Sequence, residues 1–313
     1  MKLPNLVIAG VGKAGTTSLF RWLGAHPDVC PSAVKETDHF APLRFPGGRV
    51  PPLQDYARTV AHCGTAPWRM EASPAYCYGG EPVIAALRAA LDRPRIVLSL
   101  RDPSARLWSN HRDLRSRGAL PAGMDMGAFV AACERRRATG EDRTREHRAY
   151  RGLSVGHYEE YVPAWLAAFG GDLRIVFFEE LVARPAEVVG GLCRWLGVDP
   201  AALAGMELAP HNRTVHHRSE GLRRLAYGLN AAGRRLLRRR AGTVQVLRRA
   251  YEAVNATGAD PALPVPLRRH LDDHYREGLA TMAAELRAHG YTTLPSWLSE
   301  AEARIHAARG SGR

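Results

Sequence analysis

Near its start the chain runs Leu6-Val7-Ile8-Ala9-Gly10 directly into Val11-Gly12-Lys13-Ala14-Gly15-Thr16-Thr17-Ser18. An uninterrupted apolar run of this kind predicts a strand buried on both faces. Such strands belong to parallel sheets covered by helices. The glycines after it let the backbone curl, so that successive N–H groups face one anion. A helix is expected over 18–25, with Leu19, Trp22 and Leu23 on one face. Its N-terminal dipole adds to the attraction for negative charge.

The pattern recurs. Apolar runs at 95–100 and 173–178 predict two more strands, and 84–91, 104–115, 158–169 and 185–196 predict helices. Residues 42–54 are rich in Pro and Gly and predict a loop. Residues 134–152 are dense in Arg and Glu and predict a solvated helix and loop. Strands alternating with helices predict a three-layer α/β fold whose central, mostly parallel sheet is flanked by helices. Ligands of such sheets bind beyond the carboxyl ends of the strands, and the turns after Gly10 and Leu100 lie at two such ends.

The 313 residues suffice for one sizeable core. We expect one domain over 1–313, with a core at about 4–200 and a helical, Arg-rich C-terminal extension at about 205–298. Lys and Arg total 44 against 31 Asp and Glu, a formal charge of +13. That excess favours an anionic ligand, a nucleic acid or an acidic surface as partner. Much of it lies in 218–249, where ten arginines face a single acid, Glu220. Leu222, Leu225, Leu229 and Leu236 form one stripe there. The segment suits either a packing layer with exposed arginines or an amphipathic lid in peripheral contact with an anionic membrane. Pro261 to Pro266 interrupts it, and a last helix is expected over 268–289.

Five cysteines (Cys30, Cys63, Cys77, Cys133, Cys193) stand singly, with no CxxC pair. Their odd number in a chain this long favours a reducing compartment, and we expect a cytoplasmic protein. No apolar stretch is long enough to span a bilayer. The histidines offer no HExxH or HxH spacing, so no metal is expected. His39 and His111 are candidates for lining an acceptor cleft. Trp22, Trp108, Trp165 and Trp195 suit core packing.

Three constellations carry chemistry. In the first, Lys13 adds a point charge to the curled loop, and Thr16, Thr17 and Ser18 add hydroxyls. The loop is not a Walker A motif, because Lys13 precedes Gly15-Thr16-Thr17 instead of following the last glycine. In the second, Arg101 leaves a strand end and Ser109 lies on the helix after it. A guanidinium fork with a hydroxyl suits a phosphate monoester. Taken alone, Arg101 would be expected to cap a helix or pair with Asp102. In the third, Lys35-Glu36-Thr37-Asp38-His39-Phe40 sets a carboxylate where a general base is needed, although an exposed Lys-Glu pair has the same appearance.

Together these segments resemble the sulfotransferases that use 3′-phosphoadenosine 5′-phosphosulfate (PAPS). Lys13-Ala14-Gly15-Thr16-Thr17-Ser18 resembles that family's 5′-phosphosulfate loop, and Arg101 with Ser109 resembles its 3′-phosphate site. Lys35-Glu36 with His39-Phe40, and Glu71-Ala72-Ser73-Pro74-Ala75-Tyr76, are similar to segments of the branch related to heparan sulfate sulfotransferases. The resemblance covers roughly 4–200, with weaker echoes at Tyr275, Gly290-Tyr291 and Trp297-Leu298. It implies a P-loop-like fold and in-line transfer of a sulfuryl group from PAPS to a hydroxyl or amine. The acceptor would be a small molecule, a sugar or a lipid. Lys13 and Glu36 would be catalytic. Lys13, Ala14, Gly15, Thr16, Thr17, Ser18, Arg101, Ser109 and Arg218 would bind the nucleotide, with the adenosine bisphosphate PAP as product and no metal. Asn212 and Arg213 fall in the same stretch as Arg218, where the family closes a loop over the 3′-phosphate.

The sequence also departs from that pattern. Ala72 stands where the heparan branch often has a lysine. Asp113 stands where it has a histidine, four residues beyond the 3′-site serine. The paired C-terminal cysteines of the animal enzymes are absent. Two rival readings remain: a P-loop kinase or NTPase, disfavoured by the loop order and by the lack of a Walker B run, and a basic nucleic-acid-binding protein, for which no zinc-finger, homeodomain or RNP signature appears.

Overall fold

A computed structural model of the chain describes residues 1–208 and 262–310, together with the dipeptides His216–His217 and Ala256–Thr257. Five strands form one parallel sheet: β1 (Leu6–Gly10), β2 (Val29–Pro31), β3 (Trp68–Ala72), β4 (Arg95–Leu100) and β5 (Leu173–Phe177), in the order β2-β3-β1-β4-β5. Helices α1 (Thr16–Leu23), α2 (Leu53–Arg58), α3 (Gly80–Ala90), α4 (Pro103–Ser116), α5 (Met126–Thr139), α6 (Val162–Phe169), α7 (Phe178–Ala183) and α8 (Pro185–Leu196) lie between or after the strands. The P-loop-like α/β fold class is as expected.

Side chains alternate between the two faces of the sheet. Leu6, Ile8, Met70, Val97 and Val176 pack with Leu19, Trp22 and Leu23 of α1 and with Val189, Leu192 and Leu196 of α8. Their strand neighbours Val7, Ile96 and Leu98 are just as fully buried on the opposite face. There α3 and α6 bury Ile84, Leu87, Trp165 and Leu166. Because both faces are covered, β1 reads as a continuous apolar run and β4 and β5 as mostly apolar ones, broken at Arg95, Ser99 and Arg174.

The chain packs as two units, Met1–Asn212 with Val265–Arg313, and Arg213–Pro264. Within the first unit α9 (Val265–Ala288) buries Leu271, Tyr275, Leu279 and Leu286 and is followed by α10 (Ser296–Gly310). In the second unit His216–His217 pairs antiparallel with Ala256–Thr257. The Arg-rich helix expected over 218–249 lies outside the described residues, as does Arg218.

Several elements differ from expectation. The helix expected over 158–169 is a short 3₁₀ turn at Tyr158–Glu160 followed by α6, since Pro163 suits only a first helical turn. The helix expected within 134–152 begins earlier, at Met126, where Asp125 caps it by accepting the Ala128 N–H at 2.8 Å. The loop expected over 42–54 runs into α2. Cys30 and Cys63 do not stand singly; they form a disulfide across 33 residues, whereas Cys77, Cys133 and Cys193 are free and buried. This pairing removes the cysteine argument for a reducing compartment. No helix among the described residues is long and apolar enough to cross a membrane.

Candidate functional site

The parallel sheet sends the segments after Gly10, Pro31, Ala72, Leu100 and Phe177 out of the same edge. The expected site residues gather on these segments. After β1 the chain turns at Gly10, where any Cβ would sit 2.3 Å from the Cys77 Cβ. The Val11 N–H donates to the Ser99 carbonyl at 2.8 Å, and the Ser99 hydroxyl donates to the Ala14 carbonyl. Both ends of the curl are thereby fastened to β4. Lys13 takes a left-handed φ of 72° and Gly15 a φ of 80°. α1 opens immediately after Gly15, so the amides of its first turn lack helical partners. A Cβ at Gly12 would meet nothing within 4 Å among the described residues, so open space adjoins the loop there.

Arg101 leaves the end of β4, the strand beside β1. Its guanidinium donates to the Lys13 carbonyl at 2.9 Å and lies over the Phe178 ring, 4.2 Å from the centroid. The Tyr158 hydroxyl donates to the Arg101 carbonyl at 2.6 Å. Burial pulls the Arg101 pKa down, with Glu179 opposing, yet an arginine in this setting stays charged. The expectation that a lone Arg101 would pair with Asp102 is not met. The Asp102 carboxylate accepts the Ala105 N–H at 2.9 Å, capping α4, and also pairs with Arg268 of α9.

α4 carries Ser109, half-buried, and Asp113 one turn further on the same face. Asp113 Oδ1 stands 3.3 Å from the Lys13 Nζ. The Lys13 side chain keeps 24% of its exposure. Its burial lowers the ammonium pKa, and the Asp113 carboxylate works against that shift. Lys13, Arg101 and the Ser109–Asp113 face are thus brought together. Thr16 and Ser18 are buried and Thr17 half-buried at the start of α1.

Glu36 follows β2 on the same edge, with β3 between β2 and β1. It takes a φ of 64°, and its N–H donates to the Ala72 carbonyl at 2.9 Å. Its carboxylate accepts from the Lys35 ammonium at 2.7 Å and is 54% exposed, so it is open to an incoming molecule. Asp38, at φ 49°, has a carboxyl pKa raised by burial and then by the Glu36 charge. His39 is buried and stacked on Tyr56 at 4.6 Å. His111 is buried between Trp108 and Phe129, with a ring nitrogen 3.1 Å from the Met124 carbonyl. Both rings belong to aromatic packing. Asn212, Arg213 and Arg218 lie outside the described residues.

Four participants were not picked out from the sequence: Asp113 as the partner of Lys13, Phe178 and Glu179 beside Arg101 and Asp102, and Glu71. Glu71 is fully buried at the end of β3, and burial pushes its carboxyl up to about 7 against hydrogen bonds that lower it. Its sequence signal was present within Glu71–Tyr76, but an acid in a strand next to Met70 and Ala72 does not announce that it is buried.

No family model matches the chain. It is 27% identical over 198 residues to heparan sulfate glucosamine 3-O-sulfotransferase 3B1 of Mus musculus, covering 63% of this chain and 47% of that protein. It is 28% identical over 206 residues to the bifunctional heparan sulfate N-deacetylase/N-sulfotransferase 4 of Mus musculus, covering 63% of this chain and 23% of that one. The match thus spans less than half the length of these relatives. A sulfotransferase structure from Alicyclobacillus acidocaldarius superposes with a TM-score of 0.66 at 21% identity, over 95% of this chain and 99% of that one. The likeness to sulfotransferases first seen in the motifs extends to homologues in sequence and to the fold.

Proposed function

We propose that this chain is a PAPS-dependent sulfotransferase, moving a sulfuryl group from PAPS to a hydroxyl or amine by in-line displacement. The contact between the Arg101 guanidinium and the Lys13 carbonyl carries the reading. It sets a glycine-bearing curl and a fork-shaped cation side by side at one sheet edge, as a nucleotide with phosphates at its 5′ and 3′ positions requires. The sulfotransferase relatives and the shared fold support the same reaction.

The amides and hydroxyls of Gly15 to Ser18 hold the 5′-phosphate. Lys13 stabilises the charge that grows on the bridging oxygen. Arg101 and Ser109 hold the 3′-phosphate and so select PAPS over ATP. Glu36 takes the acceptor's proton as attack proceeds. Lysine supplies the positive charge that magnesium supplies in kinases, so the residues suit a metal-free reaction. The relatives are named for heparan sulfate, which makes a sugar the first acceptor class to try, before small hydroxylated molecules and lipids.

Calorimetry with PAP against ATP-Mg tests the donor. PAP should bind at least about tenfold more tightly, since one contact to a charged phosphate contributes roughly that factor. Preference for ATP-Mg would return the kinase reading. A screen of sugars, phenols and lipids with labelled PAPS, read as a mass gain of one sulfuryl unit, identifies the acceptor.

A further inference from the structure

The segment that carries Glu36 is not held by its own sequence. Glu36 and Asp38 both stand in the left-handed region, at φ 64° and 49°, which costs a non-glycine residue free energy unless neighbours hold it. Those neighbours come from the end of β3. The Glu36 N–H donates to the Ala72 carbonyl and the Asp38 N–H to the Ser73 hydroxyl oxygen at 3.0 Å. Between them the Thr37 hydroxyl donates to Glu71 Oε2 at 3.1 Å, and the Ser73 hydroxyl donates to the same oxygen at 2.9 Å. The Tyr76 hydroxyl accepts the Phe40 N–H at 3.3 Å, closing the far end of the segment.

Both hydroxyls thus converge on one carboxyl oxygen, while Glu71 Oε1 is buried and, among the described residues, makes no hydrogen bond of good geometry. The groups facing this carboxyl are Tyr56 from α2, Thr37 from the segment, and Ser73 and Tyr76 from the turn after β3. All four are uncharged, and burial holds both tyrosine pKa values well above the usual phenol range. Their hydroxyls favour the carboxylate, and burial, the larger cause, outweighs them in favour of the neutral acid.

We propose that Glu71, as a neutral carboxylic acid, is a positioning residue: it clamps the Lys35–Asp38 segment through Thr37 and Ser73 and so fixes where the Glu36 carboxylate stands. Loss of its proton loosens the clamp, because opening the segment lets water reach the new charge. Burial pushes the carboxyl up to about 7, so the clamp is firm below that pH and weakens above it. Its role in catalysis rests on the proposed function; the clamp itself is tested without any substrate.

Amide-resolved hydrogen exchange of Asp38, expressed as protection relative to the intrinsic rate at pH 6 and pH 8.5, reads the clamp directly. In the wild type the protection should fall severalfold between the two pH values. Glu71→Gln mimics the neutral acid, keeping one carbonyl oxygen for both hydroxyls, so its protection should match the wild type at pH 6 and stay level to pH 8.5. Glu71→Ala should lose at least about tenfold protection at pH 6, with PAP affinity held within about twofold. If Glu71→Gln follows the wild-type fall with pH, or Glu71→Ala keeps wild-type protection, the clamp is wrong. Should Glu71→Ala fail to fold, the pH comparison of Glu71→Gln with the wild type still decides. A wild type that binds no PAP would remove the proposed function and leave the clamp result standing.

Discussion

Lys13, in the curled loop proposed to take the phosphosulfate, has the Asp113 carboxylate of its own chain 3.3 Å from its ammonium. The two anions compete for one ammonium, and Asp113 also repels any phosphate arriving beside it. Asp113→Asn should therefore tighten PAP binding by about threefold in low salt, the scale of one partly exposed charge pair. Weaker binding on calorimetry would mean that Asp113 holds Lys13 in place for the ligand. Arg101→Ala should weaken PAP by roughly ten- to a hundredfold, as loss of a charge-assisted contact does. Affinity unchanged by that substitution would separate Arg101 from the 3′-phosphate. Lys13→Ala and Glu36→Gln should each lower turnover by at least about a hundredfold, the typical loss of a charge-stabilising or acid–base group. Normal turnover of Glu36→Gln with the true acceptor would end its role as base. Lys13 and Arg101 were legible because they follow the apolar runs of β1 and β4, whereas Glu36 stood out only in the Lys35–Phe40 segment that resembles a sulfotransferase branch, since β2 before it was not legible. Asp113 was seen only as an odd residue in the motif, since its partner is 100 positions away.

Among the elements, β1, β4 and β5 were legible because burial on both faces makes their sequences mostly apolar, with Arg95, Ser99 and Arg174 the exceptions. β2 and β3 were not: β2 has three residues, and Trp68-Arg69-Met70-Glu71-Ala72 alternates in polarity. Arg69 donates to the carbonyls of Leu3 and Ala66, and Glu71 accepts from Thr37 and Ser73; Leu3 and Thr37 are distant in sequence and leave no local trace. The join between β1 and α1 offers a test in which stability and binding separate. At Gly15 a Cβ would be strained at φ 80° and would press to 2.7 Å from the Leu181 Cδ2. Gly15→Ala should cost about 1–3 kcal/mol of stability by denaturant unfolding. At Gly12 a Cβ would meet nothing within 4 Å among the described residues, and φ is not left-handed. Gly12→Ala should leave stability within about 0.5 kcal/mol of the wild type and still weaken PAP, because the methyl takes the anion's room. Equal PAP affinity for Gly12→Ala and the wild type would show that the ligand does not enter the curl.

Across the whole molecule the candidate site is a consequence of parallel strand direction. Segments after Gly10, Pro31, Ala72 and Leu100 share an edge only because β1 to β4 all point the same way. The alternation of strands and helices made this legible for the turns after Gly10 and Leu100, but not for the segments after Pro31 and Ala72, because β2 and β3 were not legible. The same edge carries a cost that was not legible, the fully buried carboxyl of Glu71. Its pKa rises from 4.5 in a free side chain to about 7 in the folded protein, chiefly through burial. The folded state therefore holds this proton more tightly than the unfolded chain. Its stabilising effect is complete below about pH 4.5, shrinks as the unfolded chain ionises, and is gone once the pH has passed 7. Over that window the wild type should lose on the order of 3 kcal/mol relative to Glu71→Gln, which cannot ionise. Denaturant unfolding of both proteins at pH 5 and pH 8 measures it: the difference between their unfolding free energies should shift toward the glutamine variant at pH 8. A difference independent of pH would mean that water reaches the carboxyl in the folded protein, and the buried edge of β3 would have to be redrawn.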